Sequence, residues 1–407
     1  MEEKSIVKRG METRLAIVST HPIQYYAPLF RRLANTQALH PRVFYGWKGG
    51  VQSAYDHGFE RSIEWDVPLL EGYEYTFIPN TSGDPGTHHF RGLVNPSLIP
   101  AIEEWNPDAL LVFGWGWQSH LRALIHFHGR VPVFFRGDST LLDEKPGLRQ
   151  MGRRAWLWWV YRHVDRALYV GSNNRDYFKA HGLNDTQLRW VPHAIENNRF
   201  ADPEGTYEQE ATTLREDLGI PASAPVVLFA GKLERKKAPD VLLEAFLALD
   251  NENAHFVVAG EGPMESKLRD RAGGRARIHF IGFQNQSRMP VVYRLGDVFV
   301  LPSRGPGETW GLAVNEAMAC GRPVIVSDRV GCAPDLVEEG TNGYVVPAED
   351  VSALRRALTK TLDRPEHRAS MGRQSARRIA DWSIENAATR IETAVCEVHS
   401  QDNPVSP

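Results

Sequence analysis

The chain has 407 residues, 42% of them hydrophobic and 24% charged, a balance that suits two or three soluble globular domains. The formal net charge of -3 excludes a global electrostatic pull toward nucleic acid. Three cysteines, Cys320, Cys332 and Cys396, show no metal-ligand spacing, and so sparse and odd a set fits a reducing compartment better than a disulfide scaffold.

No apolar run approaches the roughly 18–20 residues of a membrane span. The opening MEEKSIVKRG is charged and lacks the apolar stretch of a signal peptide. It reads as a disordered leader over residues 1–13, with Met11 an alternative start, and the final HSQDNPVSP reads as a loose tail. These features place the chain in the cytoplasm.

The first structured run, 15–19, is short, apolar and partly β-branched, as a buried parallel strand should be. A polar loop through His21, Gln24 and Tyr25 follows, then a helix over 27–33. That order opens a βαβ unit. The alternation continues with a strand at 109–113, the loop Gly114-Trp115-Gly116-Trp117 and a helix to 127. Strands at 131–135, ending in Arg136-Gly137-Asp138, and at 167–170, ending in Gly171-Ser172, come next. A short element ends at Val191-Pro192, and the polar stretch from about 196 to 209 reads as an irregular hinge.

A second series begins at 226–230, with Gly231-Lys232 after the strand and a helix over about 239–249. Strands at 255–259, 278–281, 298–301 and 324–327 follow. The expected fold class is therefore α/β, two doubly wound Rossmann-like domains facing a cleft at the C-terminal ends of their strands. Residues 14–195 form the first domain, 196–378 the second, and 379–407 a helix and tail, the helix crossing back to the first domain.

The most informative segment runs from Pro302 to Pro323. A glycine-rich loop holds Glu308, and a helix opens near Gly311 and stops at Gly321, with Pro323 beyond. Glu316 then lies inside the helix. Free N–H groups at a helix start can hold a phosphate, and a nearby carboxylate can accept ribose hydroxyls. Alone, such a glutamate pair is a charged loop and a solvated helix residue.

Here it stands in an ordered set: Gly231-Lys232-Leu233 with Lys237, Gly260-Glu261-Gly262-Pro263, Gly282-Phe283, Leu301-Pro302-Ser303, the glutamates, and Gly343-Tyr344-Val345-Val346-Pro347. Over residues 226 to about 350 the chain resembles the family-4 retaining glycosyltransferases of the GT-B fold. The resemblance implies transfer from a nucleoside-diphosphate sugar, a UDP- or GDP-sugar, to an acceptor glycan, glycolipid or small molecule. It implies that Lys232 and Lys237 neutralise the diphosphate, that Gly231 and the run Thr309-Trp310-Gly311-Leu312 complete the donor site, and that the base lies beside Gly282 and Phe283. Glu308 would orient donor hydroxyls and Glu316 would hold the ribose. Without the resemblance, residues 232–237 read as a solvated basic turn and Phe283 as core. The family usually has Arg where this chain has Lys232, and lysine keeps the charge but not the bidentate geometry. No D-x-D carboxylate pair is present, which fits a metal-independent enzyme with no cofactor. Arg235 and Lys236 are read as surface.

The first half departs from the family. Where the family usually places a histidine, this chain has Arg136-Gly137-Asp138. Asp138 is the candidate to receive the acceptor proton or to orient the acceptor hydroxyl, and Arg136 to pair with it or with a phosphate. The alternative is a structural Arg–Asp pair. His21, Gln24, Tyr25, Trp115 and Trp117 are the acceptor-binding candidates, against plain packing or surface roles. His193 stands where the family often has Asn. Between Arg149 and Arg166 the arginines surround Trp156, Trp158, Trp159 and Tyr161. A peripheral membrane contact would suit them, but an amphipathic core helix with a solvated basic face is the preferred reading. Two further readings of function stay open: a nucleotide-sugar epimerase on the same fold, and a non-catalytic nucleotide-sugar binding protein.

Overall fold

The computed structural model describes residues 12–51, 54–56 and 61–402. The leader through Met11 and the tail from residue 403 lie outside the described residues. Two sheets, each wholly parallel, organise the chain. The first contains β1 (Thr13–Ser19), β2 (Leu39–Tyr45), β5 (Glu74–Phe77), β6 (Ala109–Phe113), β7 (Val133–Arg136), β8 (Arg166–Tyr169) and β9 (Leu188–Trp190), in the order β5-β2-β1-β6-β7-β8-β9. An antiparallel hairpin, β3 (Ala54–Asp56) and β4 (Arg61–Ile63), stands apart from it. The second sheet contains β10 (Val226–Ala230), β11 (His255–Ala259), β12 (Ile278–Gly282), β13 (Val298–Leu301), β14 (Val324–Ser327) and β15 (Gly343–Val346), in the order β12-β11-β10-β13-β14-β15.

Parallel strands are covered by helices on both faces, so they read as unbroken apolar runs. All five residues of β6 and of β10 are buried. Each sheet separates two apolar clusters. Strand order reverses between β1 and β6, with Leu15 opposite Ala109, and between β10 and β13, with Val227 opposite Val298. A crevice opens at such reversals, outside the carboxyl ends of the strands. The loops after β1, β10 and β13 therefore meet at one place.

The chain crosses between sheets twice. The outgoing crossing is helical where an irregular hinge was expected: helices Asn197–Phe200 and Thr206–Asp217 occupy it. Asp202 explains the second helix, because its carboxylate accepts from the backbone N–H groups of Tyr207 and Glu208. The return ends in helix Ile384–Asp402, whose Ile384, Ala388, Ile391 and Val395 pack into the core of the first sheet. Residues 399–402 of the expected loose tail are thus helical. Ile195 and Ser383 form a parallel β-bridge, so the two crossings lie side by side.

The helix Leu148–Tyr161 has the expected core face and solvated basic residues, but its tryptophans lie outside the core. Its buried residues are Leu157, Val160 and Tyr161, while Trp156, Trp158 and Trp159 are exposed. At about 100° per residue, one side carries Leu157, Val160 and Tyr161 and the opposite side Leu148, Met151 and Trp159. Leu148 is 86% and Met151 67% exposed. Trp156 and Trp159 pack on each other, ring centroids 4.9 Å apart, instead of on the core.

Candidate active site

A cleft of about 980 Å³ lies between the two sheets. Its second-half wall starts where β10 ends. Gly231, Lys232 and Lys237 line it, and so does Lys236, which the sequence reading left on the surface. Gly260 lets the next loop approach this turn closely, since a Cβ there would lie 2.0 Å from the Gly231 carbonyl oxygen. Lys237 Nζ sits 2.6 Å from Glu308 Oε2, and Ser303 Oγ donates to the same oxygen at 2.9 Å. Glu308 is 6% exposed.

Helix Leu312–Ala319 opens at Gly311, whose φ of +96° is in the left-handed region. Thr309, Trp310, Gly311 and Leu312 line the cleft, so the unpaired N–H groups of the helix start face it. One and a half turns on, Glu316 reaches the same space, 2% exposed. Its Oε2 accepts from the Tyr293 hydroxyl at 2.6 Å, the Tyr25 hydroxyl and the Arg199 charge also favour the carboxylate, and its Oε1 makes no hydrogen bond of ordinary geometry. Burial pushes the Glu316 carboxyl pKa up, against the opposing pull of the Tyr293 hydroxyl. A buried carboxylate oxygen without a well-formed hydrogen bond is costly, and a ligand hydroxyl would relieve it.

Phe283 lines the cleft beside Gln284 and Gln286. Its backbone N–H donates to Glu261 Oε1 at 3.1 Å, and the Arg61 guanidinium lies over its ring at 4.8 Å. Gly282 is outside the lining and holds the turn, its carbonyl accepting from Gly260 N at 2.7 Å.

On the first-half wall the structure brings together His21, Gln24, Tyr25, Asp138 and His193. Burial pulls the imidazole pKa of His21 down to about 4. Burial first, and then the Arg136 charge, take His193 to about 4 as well, while Asp138 opposes the shift. Both rings are therefore neutral at pH 7. Asp138 Oδ2 accepts from Thr309 Oγ1 across the cleft at 2.7 Å.

Three acceptor candidates are not brought there. Arg136 is 3% exposed and donates to the carbonyls of Val191 and Pro192, at 2.9 Å each. It ties β7 to the segment after β9, because a buried guanidinium must spend its donors on whatever oxygens surround it. Trp115 packs against the first-half core, and Trp117 Nε1 donates to the Thr87 carbonyl at 3.2 Å. Their loop packs inward because φ of +74° at Gly114 turns the chain sharply after β6, and Trp117 folds over that glycine.

Sequence reasoning missed Trp47, Trp65, Asp84 and His88, which line the first-half wall. Trp47 and Trp65 follow β2 and the hairpin, elements that were not read as strands. Asp84, His88 and His89 place three potential ligand atoms within 4.8 Å of one another at an exposed loop. The hydrogen bonds at this spot are within the group, His88 Nε2 to Asp84 Oδ2 at 3.1 Å among them.

The two halves also meet at the rims. Asp143 Oδ2 accepts from Gly307 N at 2.7 Å, and Arg329 donates to the Leu142 carbonyl. Asp335 accepts from Ser172 N and Ser172 Oγ, the latter at 2.6 Å, and so caps helix Ser172–Ala180 from the opposite half. On the other side Arg61 pairs with Glu261 at 3.2 Å, Asn285 donates to the Glu64 carbonyl and Ser287 donates to Asp66.

Residues 210–378 match the family described as glycosyl transferases group 1. A D-inositol 3-phosphate glycosyltransferase of Xylanimonas cellulosilytica is 30% identical over 221 residues, 52% of each chain. One from Streptomyces avermitilis is 34% identical over 304 residues, 70% of this chain and 62% of that one. The chain spans about half the length of the curated relatives it matches. Among solved structures, Anabaena HepE in complex with UDP and glucose gives a TM-score of 0.71 at 16% identity, covering 95% of this chain and 100% of that one. At that identity the likeness is one of fold.

Proposed function

We propose that this chain, a member of the group 1 glycosyltransferases through its second half, moves a sugar from a nucleoside-diphosphate sugar to an acceptor hydroxyl held by its first half. The observation that carries the reading is Glu316. Its buried Oε1 makes no hydrogen bond of ordinary geometry, with the Tyr25 hydroxyl nearby, in the same cleft that holds Lys232, Lys237 and an open helix start. A ribose hydroxyl satisfies the carboxylate, and the cations and N–H groups take the diphosphate.

The reaction retains configuration. The acceptor hydroxyl attacks the anomeric carbon from the side of the leaving group. The bond from that carbon to the phosphate oxygen breaks, the bond to the acceptor oxygen forms, and the acceptor proton passes to the departing diphosphate. Charge grows on the diphosphate as the bond breaks, so fixed cations and dipoles stabilise the transition state more than the ground state. Lys232, Lys237 and the start of helix Leu312–Ala319 supply that stabilisation without a divalent ion. Glu308 orients donor hydroxyls. Asp138, already a hydrogen-bond acceptor for Thr309 across the cleft, orients the incoming hydroxyl.

No helix among the described residues is long and apolar enough to cross a membrane. The exposed face of Leu148–Tyr161 supports instead a peripheral contact of a cytoplasmic enzyme with a membrane surface.

A thermal-shift series with uridine and guanosine diphosphates and their sugars tests the donor site. One base series should stabilise the protein, and Glu316→Ala should weaken that ligand about 10–100-fold, the worth of a hydrogen bond to a charged group. If no nucleotide stabilises the wild type, the donor reading fails. If Glu316→Ala binds the effective nucleotide normally, the ribose role fails. Conversion of the donor to an isomer without acceptor would select the epimerase reading.

A further inference from the structure

The cleft describes its second substrate by what its first-half wall offers. Two indoles, Trp47 and Trp65, stand on that wall, both half-buried. Trp47 meets His21 edge-on, ring centroids 5.5 Å apart, and folds back over Gly49, where a Cβ would lie 2.2 Å from its ring. Trp65 sits between Glu64 and Asp66, the two residues hydrogen-bonded to Asn285 and Ser287 of the other half. Closure of the two halves therefore fixes its position. Half-buried indoles that line a cleft suit the apolar C–H face of a sugar ring.

The charges on the two walls are unequal. Among the described residues lining the cleft, all the lysines come from the second half, at positions 232, 236 and 237, and no arginine lines it. They stand where the donor diphosphate is proposed to lie, and Lys237 already faces Glu308. The charged groups of the first half are carboxylates, Asp84 and Asp138. Its imidazoles His21 and His193 are kept neutral by burial, and His88 is turned to Asp84. A phosphorylated or carboxylated acceptor entering this wall meets two carboxylates, while the first-half guanidiniums of Arg61 and Arg136 are already engaged with Glu261 and with the carbonyls of Val191 and Pro192.

We propose that the acceptor is an uncharged sugar, free or at the end of a glycoside, stacked on Trp47 and Trp65, and that phosphorylated acceptors are rejected. This rests on the donor reading above. It also separates the chain from relatives named for an inositol phosphate.

The test uses the full chain with the nucleotide sugar that stabilises it. The acceptors are methyl and octyl glycosides of glucose, mannose and galactose, against glucose 6-phosphate, mannose 6-phosphate and inositol 3-phosphate. Transfer to at least one neutral glycoside is expected, with its phosphorylated counterpart at least about tenfold poorer in kcat/KM. Trp47→Ala and Trp65→Ala should each raise the neutral acceptor's KM about tenfold, and Trp65→Phe should restore most of the loss. The nucleotide's thermal shift should stay as in the wild type for all three variants. Equal or better use of a phosphorylated acceptor overturns the proposal. So does an unchanged KM in both alanine variants. So does nucleotide binding with no neutral glycoside either accepting sugar or altering donor hydrolysis. Loss of nucleotide binding in the wild type is a different result and strikes the donor reading.

Discussion

Lys237 and Glu308 hold each other at 2.6 Å in a place where both are mostly shielded from water. Removing one member of such a pair leaves the other as a buried, uncompensated charge, at a cost of up to about 3–5 kcal/mol. Lys237→Met should therefore lower the chemical-denaturation midpoint markedly. The double variant Lys237→Met with Glu308→Gln should recover much of that stability and none of the transferase rate, because the cation proposed for the diphosphate is still missing. A double variant no more stable than the single one would show that the pair is not the source of the loss. That these residues line the cleft is legible in sequence because their backbone setting is: strand, glycine turn, helix start. Arg136 is not legible in that way. A strand-end arginine reads the same whether it faces a ligand or, as here, the carbonyls of Val191 and Pro192. Trp47 is hidden for another reason. Pro41 and Arg42 interrupt the apolar run of β2, so nothing marks the loop after it as one that opens on a cleft.

Among the elements, helix Leu148–Tyr161 carries a face that the core does not use. Leu148, Met151 and Trp159 form its outer centre, with Trp156 and Arg149 along one edge and Trp158 and Arg154 along the other. Amphipathic helices that lie in a bilayer interface join an apolar face to flanking cations, each cation near an anionic surface being worth about 1 kcal/mol. The protein should sediment with phosphatidylglycerol-containing vesicles and not with pure phosphatidylcholine. Added salt should weaken the association. Met151→Glu with Trp159→Glu should abolish it while leaving the nucleotide thermal shift intact. Binding that persists in that variant would place the contact elsewhere. The element's existence is plain in sequence, but its orientation is not, since aromatic residues at helical spacing suit a core and an interface equally. Edge strand β5 was missed for a related reason, as its Glu74 and Tyr75 are exposed and the alternation of a buried strand is absent.

For the molecule as a whole, the closed arrangement depends on contacts that cross between halves, and Asp335 is the clearest of them. It accepts from both the backbone N–H and the hydroxyl of Ser172. Gly171 permits the approach, because a Cβ there would lie 2.6 Å from Asp335 Oδ2 and 2.4 Å from the Trp310 ring. Asp335→Ala should loosen the halves, seen as a larger radius of gyration by small-angle scattering and a fall in kcat/KM of about tenfold, as expected for one lost cap and one charged hydrogen bond. An unchanged radius and rate would mean that the remaining rim contacts hold the closure alone. No reading of separate segments shows such a contact, since its partners are 163 positions apart. The two-sheet plan is legible because it is written twice in local strand–helix order; the way the sheets face each other is not.

The side-by-side crossings at Ile195 and Ser383 give the second half an unusual standing. Topologically it is an insertion in the first domain, leaving and re-entering through segments joined by a single β-bridge. A donor domain from another protein of this architecture could be spliced in at those two positions with little strain on the host. On the proposed division of roles, donor choice and acceptor choice are separable pieces of one chain, open to exchange as a cassette, provided that the new piece brings its own partner for Ser172.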